Sequence, residues 1–144
     1  AYVYHLYPNQ GAPTATLLDG KFGAAAQQLP VVVTELGWNP PGEFSDSITA
    51  GTTTNWGAPF RAYMYARPWI NWQAWILDNF WKPQMFDYDW NVLGGEHQGQ
   101  FIKDWLAGEP SVSPCATHDA DGETTTSEAN TRSKRASSGA ASCS

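Results

Sequence analysis

A run of three valines that ends near a carboxylate constrains the fold of this chain more than any other segment. Residues 31 to 38 read VVVTELGW, and Pro30 precedes them. Continuous β-branched residues are typical of a strand that is covered on both faces, as in a parallel sheet. Glu35 lies near the end of this strand, and Gly37 releases the chain into a loop. Because functional groups in parallel α/β folds gather at the carboxyl ends of strands, we predict that Glu35 lies at an accessible rim.

The segments on either side of this strand alternate between strand patterns and helix patterns. The predicted strands span residues 1 to 8, 31 to 38 and 69 to 77, and the predicted helices span residues 17 to 29, 59 to 67 and 98 to 106. The last helix places four apolar side chains on one face: Phe101, Ile102, Trp105 and Leu106. Gly20 and Gly23 weaken the first helix. Strand and helix in alternation predict a parallel α/β fold.

The other two predicted strands also end in polar or aromatic side chains. His5 and Tyr7 are two residues apart, so they point to the same face of the first strand. On the third strand Trp75 shares a face with Asn71 and Gln73. Three neighbouring strands therefore bring groups suited to a binding or reaction site to one edge of the sheet.

Composition excludes several classes of partner. The chain has 144 residues, a net charge of -6 and a pI near 4.8, and it has no basic stripe, so we expect neither nucleic acid nor an anionic membrane as a partner. Eight Trp, six Tyr and six Phe favour a stacking surface for a neutral ligand. His97 and His118 have no partners at metal-ligand spacing, so we predict no metal site, and we expect no cofactor.

Residues 107 to 144 have a different composition from the rest of the chain. They are rich in Ser, Thr, Ala, Gly and charge, and they contain no aromatic residue. Such a segment cannot bury enough apolar surface to offset its ordering entropy, so we predict a disordered linker or tail after a folded part of residues 1 to 106. Cys115 and Cys143 both lie in this tail, where they could form a disulfide. An arbitrary end of a truncated reading frame is the alternative.

Three segments in order resemble the C-terminal part of a glycoside hydrolase of family 5, the cellulase-type retaining glycosidases. These segments are YVYHLYP, LPVVVTELGW and NWQAWILDNFWKPQMFDYDWNVLGGEHQGQFIKDWL, and together they cover about residues 1 to 106. The resemblance implies strands six, seven and eight of a TIM (β/α)8 barrel with the helices that follow them. It also implies a β-linked polysaccharide or oligosaccharide as the substrate.

The resemblance implies a role for individual residues. Glu35 matches the nucleophile that attacks the anomeric carbon of the sugar. His5 and Tyr7 match a His-x-Tyr pair in which the Tyr hydrogen-bonds the nucleophile and the His shapes the subsite of the cleaved sugar. Trp75 matches a tryptophan that forms a platform under the sugar ring. The further candidates for substrate binding are Trp38, Trp81 and Trp90.

The chain departs from the family at the second catalytic carboxyl. Retaining glycosidases need an acid/base residue, which the family carries in an Asn-Glu-Pro motif at the end of strand four, and Glu109-Pro110 lies in the wrong place to supply it. Three strands of eight also cannot close a barrel. We therefore predict a fragment of a longer enzyme that is inactive and marginally folded by itself.

The resemblance leaves several functions open. The first is a secreted endo-β-1,4-glucanase, monomeric when it has its full length. The second is a related enzyme that acts on β-1,3-glucan or mannan. The third belongs to another class, a non-catalytic carbohydrate-binding remnant.

Overall fold

The computed structural model describes residues 1 to 108 as a small α/β unit. Its strands are β1 (Tyr2–Leu6), β2 (Val31–Leu36) and β3 (Asn71–Trp72), and its helices are α1 (Ala15–Leu18), α2 (Ala58–Tyr65) and α3 (Gln98–Gly108). The predicted disordered tail and both cysteines lie outside these residues, apart from the last two residues of α3, which extends beyond the predicted boundary at residue 106. None of the helices within residues 1 to 108 is long and apolar enough to cross a membrane.

The three strands form one parallel sheet in the order β1, β2, β3. This arrangement confirms the predicted parallel α/β architecture of the folded part. Each connection between strands contains helical segments, as is usual for the crossover between parallel strands.

The first predicted helix is irregular. The Thr14 hydroxyl accepts a hydrogen bond from the backbone N–H of Leu17 and caps α1, which has only four residues. A π-helical turn (Asp19–Gly23) and a 3-10 turn (Ala25–Gln27) follow α1 in place of one regular helix. A Cβ at Gly23 would collide with the Tyr63 hydroxyl, so the glycine that weakens the helix also lets α2 pack closely against it. Asp19 accepts a hydrogen bond from Tyr63 of α2 and forms an ion pair with Arg67, which follows α2.

The third strand is much shorter than predicted. Only Asn71 and Trp72 pair regularly with β2, although the backbone N–H groups of Gln73 and Trp75 still donate to the Val33 and Leu36 carbonyls, at 2.8 and 2.7 Å. The carbonyl of Trp75 is bound by the side chain of Gln98 instead of by another strand. The segment therefore leaves strand geometry, and strand alternation does not fix the direction of the Trp75 side chain.

The core lies between one face of the sheet and the helices. Its largest fully buried apolar side chains are Leu6, Leu18, Phe22, Val31, Val33, Leu36, Trp38, Phe60, Ile102 and Trp105. Trp105 of α3 stacks on Trp72 of β3 with ring centroids 3.9 Å apart, which confirms the predicted core position of Trp105. The prediction for Leu106 is wrong, because this side chain is 60% exposed on the outer side of the helix.

Candidate functional site

A β-bulge sets the direction of the Glu35 side chain. β1 and β2 pair in register as far as Tyr4 and Val33, and the register then shifts so that His5 lies opposite Glu35. Strict alternation would have placed Glu35 on the core face with Val33. The extra residue, Thr34, resets the alternation, so Leu36 is buried and the Glu35 side chain, 26% exposed, faces the other way.

The carboxylate of Glu35 has two partners from the end of β1. The Tyr7 hydroxyl donates a hydrogen bond of 2.8 Å to Glu35 Oε2, and His5 Nδ1 lies 3.3 Å from the same oxygen. The bulge and the two-residue spacing of His5 and Tyr7 together produce this arrangement, because they bring all three side chains to one face. The structure thus places together the three residues for which the sequence predicts catalytic roles, and those roles stay predictions.

The environment of Tyr7 keeps its hydroxyl protonated. Burial raises the pKa of Tyr7 well above its usual value, and the hydrogen bond to Glu35 and the negative charges of Glu35 and Asp46 raise it further. Asp46 belongs to the loop after β2. Burial acts to raise the Asp46 pKa, but hydrogen bonds from Thr49 and Ile48 outweigh it and the pKa is lowered, so Asp46 stays ionised. Tyr7 therefore acts as a hydrogen-bond donor to the carboxylate at neutral and mildly alkaline pH.

Two tryptophans follow β3 near the end of the sheet. The backbone N–H of Trp75 binds the carbonyl of Leu36, the residue after Glu35. The rings of Trp75 and Trp81 meet at 63° with their centroids 6.5 Å apart. Trp75 is half-buried and Trp81 is exposed, so each indole can offer part of its surface to a ligand.

Gly37 lets the end of β2 approach the Trp75 backbone. A Cβ at this position would collide with the Trp75 carbonyl oxygen and would come within 2.7 Å of both Gln98 Oε1 and Pro83 Cγ. The sequence showed Gly37 only as the point where the chain enters a loop. In the structure the lack of a side chain at Gly37 allows the backbone at Trp75 to lie next to the end of β2, close to Glu35.

Trp38 does not belong to the exposed site. Its ring is fully buried and packs against Trp56 and Phe101, with centroids 5.4 Å away in both cases, and its Nε1 donates to Thr53. A Cβ at Gly57 would collide with the same ring, so the turn before α2 approaches the indole closely. The predicted substrate-binding role of Trp38 is therefore corrected to core packing, because no face of the indole is open to a ligand.

Three buried carboxamide side chains bond the backbone of the segment that follows β3, and sequence reasoning missed them. Asn39 Nδ2 donates to the Gln84 carbonyl at 2.9 Å, and Asn39 Oδ1 accepts from the backbone N–H of Gln98 at 3.3 Å. Gln98 Nε2 donates to the carbonyls of Trp75 and Pro83, and Gln84 Nε2 donates to the carbonyl of Asn79 at 2.8 Å. All three amides are fully buried. Because the side-chain NH2 groups of all three amides donate to backbone carbonyls, this network fixes the backbone around Trp75.

Glu96 and His97, two further ionisable groups of the described residues, belong to the scaffold. Glu96 accepts hydrogen bonds from the backbone N–H and the hydroxyl of Thr54, which lower the Glu96 pKa and tie its loop to the turn before α2. Burial lowers the pKa of His97. Residues 1 to 108 contain no group of three His, Cys, Asp or Glu side chains that could hold a metal ion.

A parallel sheet with a carboxylate, a phenol, an imidazole and tryptophans at one end defines an α/β protein with a polar and aromatic rim. Among solved structures, the chain is similar to the native form of a beta-glucanase from Saccharophagus degradans, with 31% identity and a TM-score of 0.62. It is also similar to a structure of that enzyme in complex with cellotetraose, with 28% identity and a TM-score of 0.60. Both matches cover 74% of this chain and 33% of the glucanase chain.

The chain therefore spans about one third of the length of the glucanase that it resembles. No protein-family model matches the chain, and a comparison with curated proteins finds no match. These findings support a relationship to part of a glycoside hydrolase.

Proposed function

We propose that this chain carries the nucleophile side of a retaining β-glycanase of glycoside hydrolase family 5, within a TIM barrel of which it forms about strands six to eight. One observation carries the proposal: Glu35 lies at the carboxyl end of a parallel sheet and accepts the Tyr7 hydroxyl at 2.8 Å, with His5 beside it. Similarity to a beta-glucanase supports the same reaction class.

In the proposed reaction Glu35 attacks the anomeric carbon of the substrate. A carboxylate oxygen forms a bond to this carbon while the bond to the leaving oxygen breaks, which gives a covalent glycosyl-enzyme that water later hydrolyses. The hydrogen bond from the Tyr7 hydroxyl holds the attacking carboxylate in place. His5, which is exposed beside Glu35, borders the space of the reacting sugar.

The proposed mechanism also needs a general acid/base. In a retaining enzyme its carboxyl lies roughly 5 to 5.5 Å from the nucleophile. The sequence contains no Asn-Glu-Pro segment, so we propose that this group comes from a part of the enzyme outside these 144 residues and that the chain alone does not hydrolyse natural substrates.

The proposed substrate is a β-1,4-linked glucan. The cellotetraose complex of the similar enzyme supports a glucan oligosaccharide, and the tryptophans at the sheet end suit the apolar faces of glucose rings. The related alternatives are β-1,3-glucan and mannan, and analysis of the products from cellulose, laminarin and mannan would separate the three. We further propose that the full-length enzyme is a secreted monomer.

A non-catalytic glycan-binding protein is the second candidate function. The aromatic side chains at the sheet end, Trp75 and Trp81, favour it, because such side chains can bind a glucan without any acid/base. Under this reading Glu35 contributes to binding only, and its replacement by Gln would leave glycan affinity largely intact.

A substrate that needs no acid catalysis tests the nucleophile within this chain alone. A 2,4-dinitrophenyl 2-deoxy-2-fluoro-β-cellobioside carries a leaving group that departs as a stable anion, and the fluorine slows hydrolysis of the glycosyl-enzyme. We expect mass spectrometry to find the fluorocellobiosyl group on Glu35, and we expect Glu35→Gln to lower the labelling rate at least about a thousandfold. Absence of labelling in the unsubstituted chain, or labelling at another residue, would contradict Glu35 as the nucleophile.

A further inference from the structure

The loop between β2 and α2 contains a turn that the side chain of Asp46 organises. Asp46 Oδ1 accepts hydrogen bonds from the backbone N–H groups of Ile48 and Thr49, both at 2.9 Å, and from the Thr49 hydroxyl at 3.0 Å. The backbone N–H of Asp46 donates in return to the Thr49 hydroxyl oxygen at 3.0 Å. Such side-chain acceptors stabilise tight turns. We call residues 46 to 49 the Asp46 turn.

Hydrogen bonds anchor the Asp46 turn to the rest of the fold. The carbonyl of the buried Thr49 accepts the backbone N–H of Asn39 at 3.1 Å, and Gly51 N–H donates to the Asn39 carbonyl at 2.9 Å. Lys82, in the segment after β3, donates to the Ser45 carbonyl at 3.0 Å. The turn is therefore tied both to the chain that leaves β2 and to the segment that follows β3.

The Asp46 turn also holds the segment that follows Tyr7. The carbonyl of Ile48 accepts the backbone N–H of Asn9 at 3.0 Å. Pro8 packs closely against Gly51, where a Cβ would come within 2.8 Å of Pro8 Cγ. Because Pro8 and Asn9 come directly after Tyr7, these two contacts restrict the path of the backbone that carries the phenol.

Asp46 itself lies near enough to Tyr7 to act on its hydroxyl. Burial is the largest cause of the raised pKa of Tyr7, and the negative charge of Asp46 adds to it. The same hydroxyl donates to Glu35 at 2.8 Å. A series of contacts therefore runs from Asp46 through the Ile48 carbonyl and Asn9 to Tyr7, and from Tyr7 to the carboxylate.

We infer that Asp46 is a positioning residue for Glu35, because its turn places Tyr7 where the phenol can hold the carboxylate. The inference rests on the proposed function, in which Glu35 is the nucleophile. It requires at position 46 a short side chain that accepts hydrogen bonds, and both Asp and Asn provide one.

Absorbance at 295 nm follows the ionisation of Tyr7 and tests this role without any substrate. Asp46→Ala removes the acceptor of the turn, so we expect the ionisation of Tyr7 to move down toward about pH 10, the usual value for a phenol. Asp46→Asn keeps the acceptor and loses only the charge, so Tyr7 should still ionise late. Asp46→Glu keeps the charge but is one methylene too long for this turn, so it should behave like Asp46→Ala. In a Tyr7→Phe background Asp46→Ala should leave the titration unchanged, which assigns the signal to Tyr7.

Labelling of Glu35 by the fluorocellobioside measures the consequence for the reaction. Asp46→Ala should slow labelling roughly twofold to tenfold, the range expected for one net hydrogen bond, and Asp46→Asn should restore most of the rate. Asp87→Ala is the matched control. Asp87 Oδ1 accepts the backbone N–H groups of Asp89 and Asn91, at 2.9 and 2.8 Å, in a similar turn before α3. This control should leave both readouts unchanged.

Four results would overturn the inference. They are an unchanged Tyr7 titration in Asp46→Ala, an equal shift in Asp87→Ala, a shift in Asp46→Asn as large as that in Asp46→Ala, and an unchanged labelling rate in Asp46→Ala. Circular dichroism of each variant checks that the fold is kept. If Glu35 is not labelled in the unsubstituted chain but Asp46→Ala still moves the ionisation of Tyr7, the catalytic proposal fails, and the role of Asp46 in placing Tyr7 stands.

Discussion

The two faces of the three-stranded sheet differ in what covers them. On one face Val33 and Leu36 are fully buried against the helices, and Trp72 stacks on α3. On the other face Val3 is 54% exposed, and His5 and Glu35 are both accessible. The first face stabilises the unit by burying apolar surface, whereas the second carries the groups that can act on a ligand. A single bulge at Thr34 separates these two tasks within one strand.

The same substitution on each face gives the largest expected difference in stability. Val33→Ala removes two buried methyl groups and leaves a cavity, so we expect it to lower the free energy of unfolding by about 2 to 4 kcal/mol. Val3→Ala is the matched control and should cost less than about 0.5 kcal/mol. Guanidinium unfolding followed by tryptophan fluorescence measures both. Equal costs would mean that the face with Val3 is also covered in solution.

A smaller loss of stability is expected from a substitution at Gly37, which directly follows β2. Gly37→Ala forces a methyl group against the Trp75 carbonyl and the Pro83 ring, so we expect a loss of about 1 to 3 kcal/mol in unfolding free energy. Because the clash also displaces Trp75, labelling of Glu35 by the fluorocellobioside should slow. Gly20→Ala is the control, since a Cβ at Gly20 meets no other atom within 4 Å. If Gly37→Ala matches this control in stability and labelling, the close approach is not needed.

The contrast between Glu35 and Gly37 shows how far sequence reasoning reaches. The valine run and its terminal carboxylate predicted the parallel strand and the position of Glu35 at its end, because those features depend on local pattern and on the geometry shared by all parallel sheets. Alternation from Val31 alone would have buried Glu35. The bulge that prevents this has no signal in the sequence, since it depends on how β1 pairs with β2.

Long-range packing explains the features that the sequence did not predict. Asn39 and Gln84 are 45 residues apart, and Asn39 and Gln98 are 59 apart, so the periodicity of one segment cannot show that the Asn39 side chain bonds the backbone of both residues. Trp38 lies two residues after the end of β2, and its burial depends on the lack of a side chain at Gly57, just before α2. The third strand was predicted too long because its aromatic pattern is typical of a strand. In the structure the Gln98 side chain donates to the Trp75 carbonyl, which is therefore not paired with a neighbouring strand.

The smallest expected effect concerns the exposed face and the proton of Tyr7. Below the unfolded-state pKa of about 10 both states keep the phenol proton, and Tyr7→Phe should lower the free energy of unfolding by at most about 1 kcal/mol, because water can replace the lost donor at Glu35. Above about pH 10 the unfolded chain releases the proton, while the raised pKa of Tyr7 keeps it bound in the folded state. Stability is therefore lost as pH rises, and Tyr7→Phe should lose less of it between pH 9 and pH 11.

Absorbance at 295 nm follows the phenolate directly and separates Tyr7 from other tyrosines. The pKa of Tyr63 is also raised, by burial and by its hydrogen bond to Asp19, so Tyr63→Phe is the matched control on the covered side. Each variant should remove the amplitude of one tyrosine from the late part of the titration. If Tyr7→Phe instead removes amplitude near pH 10, the phenol ionises as it does in the unfolded chain. The hydrogen bond to Glu35 would then be too weak in solution to hold the carboxylate for attack.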